Sequence, residues 1–211
     1  MDRSKIGLVI PAFNEAATIF GVVAAASKYG QPIVVNDCST DDTAKLAKQA
    51  GAVVVTHQTN LGYDGALNSG FIKAAELNCQ FIITLDADGQ HNPKLIQKFI
   101  NELNQGVDVA LGVRSDKPRV SEHLFALMTR ARFGINDPLC GMKGYTIETY
   151  NKLGHFDSYR SIGTELMLFA ARQKLNIVQI PFKVGERQDA PRFGNLIRAN
   201  LKILRAMVKS V

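Results

Sequence analysis

The stretch FIITLDADGQH, residues 81–91, decides the reading of this chain. Its first half is an apolar run with β-branched and aromatic side chains, as in a strand covered on both faces. Its second half sets Asp86 and Asp88 just beyond that strand, followed by Gly89, Gln90 and His91. A bend at the strand end lets both carboxylates reach one divalent cation. Mg²⁺ or Mn²⁺ takes such oxygen ligands and keeps waters and substrate phosphate in its other positions. That is the neutralisation a nucleotide diphosphate leaving group needs. The competing reading is an acidic turn capping the next helix, but Asn92 already supplies that cap.

Similar apolar runs stand on either side: IGLVI (6–10), PIVVN (32–36), AVVVT (52–56) and VDVALGV (107–113). The segments between them read as helices. Asn14 is expected to open the first, and residues from Ser39 to Asp42 to cap the second. Ala66, Leu67, Gly70, Phe71 and Ala74 keep helical spacing in the third. Asn92-Pro93 starts the fourth, with Leu95, Ile96, Phe99, Ile100 and Leu103 on one side. The alternation predicts an α/β fold with a Rossmann-like, mostly parallel, doubly wound sheet and right-handed crossovers. Such sheets bind ligands beyond the carboxyl ends of their strands. PAFNE (11–15), NDCSTDDT (36–43), DADGQH (86–91) and GVRSD (112–116) all stand there. An Asp at a strand tip can accept hydrogen bonds from a base or ribose, and Asp37 is the candidate, while Ser39, Asp41 and Asp42 read as helix caps.

After Ser115 the pattern loosens. A helix is expected over 122–133, a strand at GMKGYT (141–146), a helix over 163–174, a strand at NIVQIPFKV (176–184) and a last helix from Phe193. There is no internal repeat or linker, so residues 1–211 read as one domain with halves at 1–114 and 115–211.

Composition is that of a globular protein, 46% hydrophobic and 21% charged, which excludes disorder and fibrous repeats. A net charge of +6 suggests anionic partners such as phosphates or acidic lipids. Nucleic acid is disfavoured because the basic residues are not interleaved with aromatics. Cys38, Cys79 and Cys140 lack metal-site spacing and read as reduced, structural thiols. The opening MDRSKIGLVI has no signal-peptide pattern, and no window is apolar enough to span a bilayer. A cytoplasmic protein with at most peripheral membrane contact is expected. In the last helix, Phe193, Leu196, Ile197, Leu204, Met207 and Val208 form an apolar stripe, with Arg198, Lys202, Arg205 and Lys209 on another face. Such a helix either rests on an anionic membrane or packs on the sheet with its charges solvated.

PAFNE, NDCSTDDT, NLGYDGALNSG (60–70), DADGQHNP (86–93), GVRS, DPLCGMKGY (137–145), Glu165 and ERQDAPRF (186–193) follow one another in a diagnostic order. Over residues 5–195 the chain resembles family 2 of the inverting glycosyltransferases with the GT-A fold, most of all the dolichol- or polyprenyl-phosphate mannose and glucose synthases. The resemblance implies a nucleotide-sugar-binding half at 1–114 and an acceptor-side half at 115–211. It implies that Pro11, Phe13, Glu15 and Asp37 hold the nucleoside, and that Asp86, Asp88 and Gln90 hold Mg²⁺ or Mn²⁺. Gly62 and Gly65 would let the backbone approach the donor, and Arg114, Arg187 and Arg192 would face phosphate. For Arg114 a surface pair with Asp116 is the competing reading, and for Arg187 and Arg192 solvated loop charges. Asp137 stands either beside sugar and acceptor or in a turn leading to a strand.

The chain departs from the family pattern in SIGTEL (161–166), where hydroxyl-glycosylating members carry a Glu-Asp pair and this chain has only Glu165. A phosphate acceptor is already ionised and needs no strong base, so the departure favours a lipid phosphate over a saccharide hydroxyl. Glu165 and Asp137 remain as base candidates, and Glu165 also as a residue that orients arginines. Asp64, where relatives often carry Lys, and the short segment 115–137 leave sugar and acceptor open. The rival functions are a sugar-1-phosphate nucleotidyltransferase, whose Gly-rich triphosphate loop is missing, and a non-catalytic nucleotide-sugar-binding subunit.

Overall fold

The structure, a computed structural model, describes residues 2–116, 119–183 and 196–209. Arg187 and Arg192 lie outside the described residues. After a short 3-10 turn at Arg3–Lys5, the chain runs β1 (Ile6–Ala12), α1 (Ile19–Ala26), β2 (Gln31–Asn36), α2 (Thr43–Gln49), β3 (Val53–Thr56), α3 (Gly62–Glu76), β4 (Phe81–Thr84), α4 (Lys94–Asn104) and β5 (Val109–Arg114). It continues with α5 (Val120–Phe133), β6 (Lys143–Thr146), α6 (Ile147–Leu153), α7 (Glu165–Arg172), β7 (Ile177–Phe182) and α8 (Leu196–Lys209).

The seven strands form one sheet in the order β3-β2-β1-β4-β6-β5-β7. All pairs are parallel except those made by β6, which runs antiparallel to β4 and β5. Helices cover both faces, which is why the strands lack polar alternation. One core layer joins Leu8, Ile10 and Val34 to Ile19, Val23, Ile96 and Phe99 of α1 and α4. The opposite layer joins Val9 and Ile33 to Leu67 and Phe71 of α3 and to Leu166 and Met167 of α7. At its centre the Phe71 ring lies 4.5 Å from Phe156 and 5.8 Å from Tyr145, an arrangement that adds to simple burial. Gly70 lets α3 settle on β1, since a Cβ there would stand 2.2 Å from Val9 Cγ1.

Several local expectations are corrected. Asn14 does not open a helix: its φ is 53°, a left-handed conformation Asn tolerates, and α1 begins at Ile19. The cap of α2 comes from Asp41, whose carboxylate accepts the Thr43 N–H at 3.0 Å, while Asp42 at the N-cap makes no side-chain cap bond. Asn92 does accept from the next helix, taking the Lys94 N–H at 3.0 Å. Helix α7 starts at Glu165, because Ile162 and Gly163 are left-handed, with φ of 60° and 67°. The seven-residue α6 went unanticipated; IETYNKL is too short for periodicity, though Thr146 caps it through the Thr149 N–H at 3.2 Å and Gly154 ends it at φ 84°.

Candidate active site

The parallel strands deliver their C-terminal loops to one rim. There PAFNE and NDCSTDDT are zipped together. Asn14 donates its N–H to Ser39 Oγ and accepts the Thr40 N–H, both at 2.9 Å. The Glu15 N–H reaches Thr43 Oγ1 at 2.7 Å, and the Ala16 N–H reaches Asp41 at 3.1 Å. The Thr18 hydroxyl donates to Ala87 O at 2.7 Å, tying this pair of loops to the acidic turn. Pro11 is half-buried, Phe13 exposed and Glu15 buried.

Asp37 lies beneath this rim. Its Oδ1 accepts the Leu61 N–H and its Oδ2 the Gly62 N–H, each at 2.8 Å, and His57 Nδ1 stands 2.7 Å from Oδ1. The first amides of α3 have no partner within their helix, so Asp37 caps α3 from a neighbouring strand. Gly62 has φ +79°, which a larger residue adopts only with strain, and open space surrounds its missing Cβ. Gly65 serves the helix start, where a Cβ would stand 2.6 Å from Leu61 Cβ.

In the acidic turn, Asp88 Oδ1 accepts the Gln90 N–H at 3.1 Å, while Asp86 is half-exposed. Burial raises the Asp86 carboxyl above its ordinary range; the His91 imidazole, with Nε2 3.7 Å from Oδ2, opposes the rise and Asp88 adds to it. Gly141 clears the space in front: a Cβ there would stand 2.3 Å and 2.6 Å from the two Asp86 oxygens. Among the described residues no group of three or more His, Cys, Asp and Glu is placed to hold a metal. Two adjacent carboxylates, one of them destabilised as an anion by its surroundings, fit a Mg²⁺ or Mn²⁺ that completes its shell with water and phosphate.

Arg114 at the tip of β5 does not pair with Asp116, which takes the Ser115 hydroxyl at 2.9 Å. Its Nε and Nη2 grip Asp137 at 2.8 Å and 2.9 Å, and Nη2 also reaches Glu122 at 2.9 Å. Arg119 closes the network on Glu122 at 2.7 Å. The carboxylates are 1% and 2% exposed, so the pairs are buried. Burial lowers the Arg114 pKa, but the Asp137 hydrogen bonds and charge outweigh it and leave the guanidinium above its ordinary value. Among the described residues Nη1 makes no hydrogen bond. Glu122 and Arg119 escaped the sequence reading; the one signal was the Arg-x-x-Glu spacing at the start of α5.

Glu165 caps its surroundings and does not orient an arginine among the described residues. Its Oε1 meets His155 Nε2 at 2.9 Å, and Oε2 accepts the Ser158 N–H at 2.5 Å. The loop before it is held from several sides. Asp157 accepts the Arg160 N–H at 2.6 Å and the Ser161 N–H at 2.8 Å. Asp64 accepts the Gly163 N–H at 2.7 Å, and Lys143 Nζ donates to the Gly163 carbonyl at 2.5 Å. Burial, then the charge of Asp157, raises Asp64 to about 6, and burial lowers the Lys143 ammonium to about 8. The Tyr63 ring lies against Gly163, and burial followed by Asp86 and Asp64 raises its phenol.

A sequence profile described as Glycosyl transferase family 2 matches residues 8–174. The chain belongs to glycosyl transferase family 2. Among curated relatives of this family 2 glycosyltransferase, an uncharacterised protein of Methanocaldococcus jannaschii is 29% identical over 97% of this chain and 91% of its own length. UDP-N-acetylglucosamine–dolichyl-phosphate N-acetylglucosaminyltransferase of Methanococcus voltae is 27% identical over 96% of this chain and 94% of its own. An undecaprenyl-phosphate 4-deoxy-4-formamido-L-arabinose transferase of Pectobacterium atrosepticum is 33% identical over 55% of this chain and 38% of its own. Among solved structures, glucosyl-3-phosphoglycerate synthase of Mycobacterium tuberculosis, crystallised with Mn²⁺, UDP and glucosyl-3-phosphoglycerate, superposes with a TM-score of 0.74 at 21% identity, over 96% of this chain and 79% of that one. The fold is the GT-A fold.

The glycosyltransferase also carries an apolar outer face. Helix α8 packs on α5 through Phe125, Ile203 and Ala206, and Ser121 meets Asn200 at 2.5 Å. Of the expected stripe, Leu204 and Met207 are half-buried and Val208 is 70% exposed, while Phe193 lies outside the described residues. On α5, Val120, Leu124 and Leu127 at helical spacing are exposed by 75%, 48% and 65%. Arg130, Lys202, Arg205 and Lys209 are exposed on the same two helices. No described helix is long and apolar enough to cross a membrane.

Proposed function

We propose that this chain transfers a sugar, with inversion, from a nucleoside diphosphate sugar of the UDP-hexose or GDP-mannose class to a polyprenyl phosphate. The observation that carries it is the acidic pair at the tip of β4, with the Asp86 carboxylate facing the space that Gly141 keeps clear. Asp86 and Asp88, with Gln90 on the same turn, would hold Mg²⁺ or Mn²⁺, which supplies positive charge to the departing diphosphate. Pro11, Phe13, Glu15 and Asp37 form the nucleoside side of the cleft, and the start of α3 at Gly62 and Gly65 borders it. Arg114 offers Nη1 to a phosphate, and Arg187 and Arg192 extend that role.

The acceptor follows from what the carboxylates are occupied with. Asp137 is held by Arg114 and Glu165 by His155 and Ser158, so neither is an uncommitted base. An acceptor that arrives ionised needs none. The apolar, base-flanked face of α5 and α8 suits an anionic bilayer, where a polyprenyl phosphate resides. The named functions of the Methanococcus and Pectobacterium relatives support the same class.

The test has two stages. Calorimetry of UDP and GDP sugars with and without Mn²⁺ should give one base-selective, metal-dependent isotherm. The chosen donor, radiolabelled in the sugar, is then offered with dolichyl phosphate or with an oligosaccharide. Label passing into the lipid phase supports the proposal; transfer to the oligosaccharide alone, or pyrophosphate release from a nucleoside triphosphate, overturns it.

A further inference from the structure

Asp37, His57 and Ser69 form a hydrogen-bonded row that joins the ends of β2 and β3 to the middle of α3. Asp37 Oδ1 lies 2.7 Å from His57 Nδ1, and His57 Nε2 lies 2.8 Å from Ser69 Oγ. The His57 and Asp37 side chains are 9% and 5% exposed. The His57 N–H also donates to Asn36 O at 3.0 Å, so the residue is pinned at both ends. A carboxylate only accepts, so Nδ1 carries a proton toward Asp37, and in the neutral ring Nε2 takes the Ser69 hydroxyl hydrogen. The row has the atom order of a hydrolytic triad, but the neighbouring amides of Leu61 and Gly62 that such chemistry could recruit are already donated to Asp37.

The acceptor positions on Asp37 can be counted. Oδ1 receives His57 and Leu61, and Oδ2 receives Gly62. Each oxygen offers two positions, so one remains, on Oδ2. Without the imidazole Oδ1 would also hold a vacant position, and the side chain would present two places to a ligand.

We propose that His57 is a positioning residue for the donor nucleotide, which saturates Asp37 Oδ1 so that a single acceptor site on Oδ2 meets one N–H or O–H of the nucleoside. The inference rests on the nucleoside reading of Asp37 given above.

The probes are UDP and GDP, each with Mn²⁺, titrated into the full chain and followed by calorimetry, with donor KM and kcat read separately. In His57→Asn the amide nitrogen takes the place of Nδ1 and keeps the bond to Asp37; in His57→Gln the amide reaches toward Ser69 and the bond is lost. His57→Gln should weaken the tighter nucleotide and raise donor KM by about 10-fold, with kcat within about twofold, and His57→Asn should restore most of that loss. Equal effects of the two substitutions, or none, with Asp37→Asn still weakening binding, would reduce His57 to a structural prop and overturn the proposal. If Asp37→Asn leaves both nucleotides unaffected, the nucleoside reading itself fails and takes the inference with it. Should His57→Gln not fold, the ¹⁵N resonance of His57 Nδ1 in the unaltered chain decides: a shift on nucleotide binding supports the role, and an unmoved resonance overturns it.

Discussion

The proposed donor and acceptor sides satisfy some of their carboxylates differently. On the donor side, acids end on backbone amides: Asp37 on Leu61 and Gly62, Asp41 on Thr43 and Ala16, Asp88 on Gln90. On the proposed acceptor side, Asp157 and Glu165 also end on loop amides, but Asp137 and Glu122 end on the guanidinium groups of Arg114 and Arg119. An amide bond steadies a carboxylate without cancelling its charge, so the donor side stays acidic toward a cation. A buried ion pair cancels both charges and fixes the arginine in place, so this network is close to neutral and held in one geometry.

Removing one member of the buried network should break this contrast most severely. Glu122→Ala leaves Arg114 and Arg119 short of a counter-charge away from water, and the stability measured by urea denaturation should fall by about 3–5 kcal/mol. A loss below about 1 kcal/mol would mean that the network is effectively solvated. Next in size is Asp88→Ala, which should lower metal-dependent transfer by about 10²–10³-fold, as removal of one charge-stabilising group does elsewhere, with little change in melting temperature. Undiminished transfer would place the diphosphate elsewhere.

The smallest effect is a pH dependence. Asp64 is raised from 3.8 to about 6, so between those values the folded chain holds a proton that the unfolded chain has released. This group therefore makes stability fall as pH rises through that window. Lys143 is lowered from 10.5 to about 8, so there the unfolded chain holds the extra proton and stability rises with pH. Asp64→Asn should flatten the acid limb of the stability profile and Lys143→Met the alkaline limb; unchanged limbs would mean that neither group is desolvated.

The same contrast explains what the sequence made legible. The strands, the four helices between them and the rim loops of the donor half follow from local pattern, because each apolar run and its following polar segment lie together in the chain. Even there Asn14 was misread as a helix opener, since its partners Ser39 and Thr40 lie 25 and 26 positions away. The second half of the chain depends on comparable and longer reach. Arg114 meets Asp137 across 23 positions and Asp64 meets Gly163 across 99. No periodicity encodes such pairs, so His155 and Lys143 emerged only from the packed chain, and the Arg119–Glu122 spacing gained meaning only with Arg114 beside it. His57 belongs with them: a lone histidine after a strand shows its role only when Asp37 and Ser69 are seen on either side of its ring.

The reversed direction of β6 has a consequence for how this architecture can diversify. Because β5 ends and β6 begins at the same rim, the chain leaves the sheet after Arg114 and re-enters it at Lys143 on that one rim. That excursion can lengthen or shorten without shifting the register of β1, β2 and β4, provided that Gly141 keeps its place before Asp86 and Asp137 its hold on Arg114.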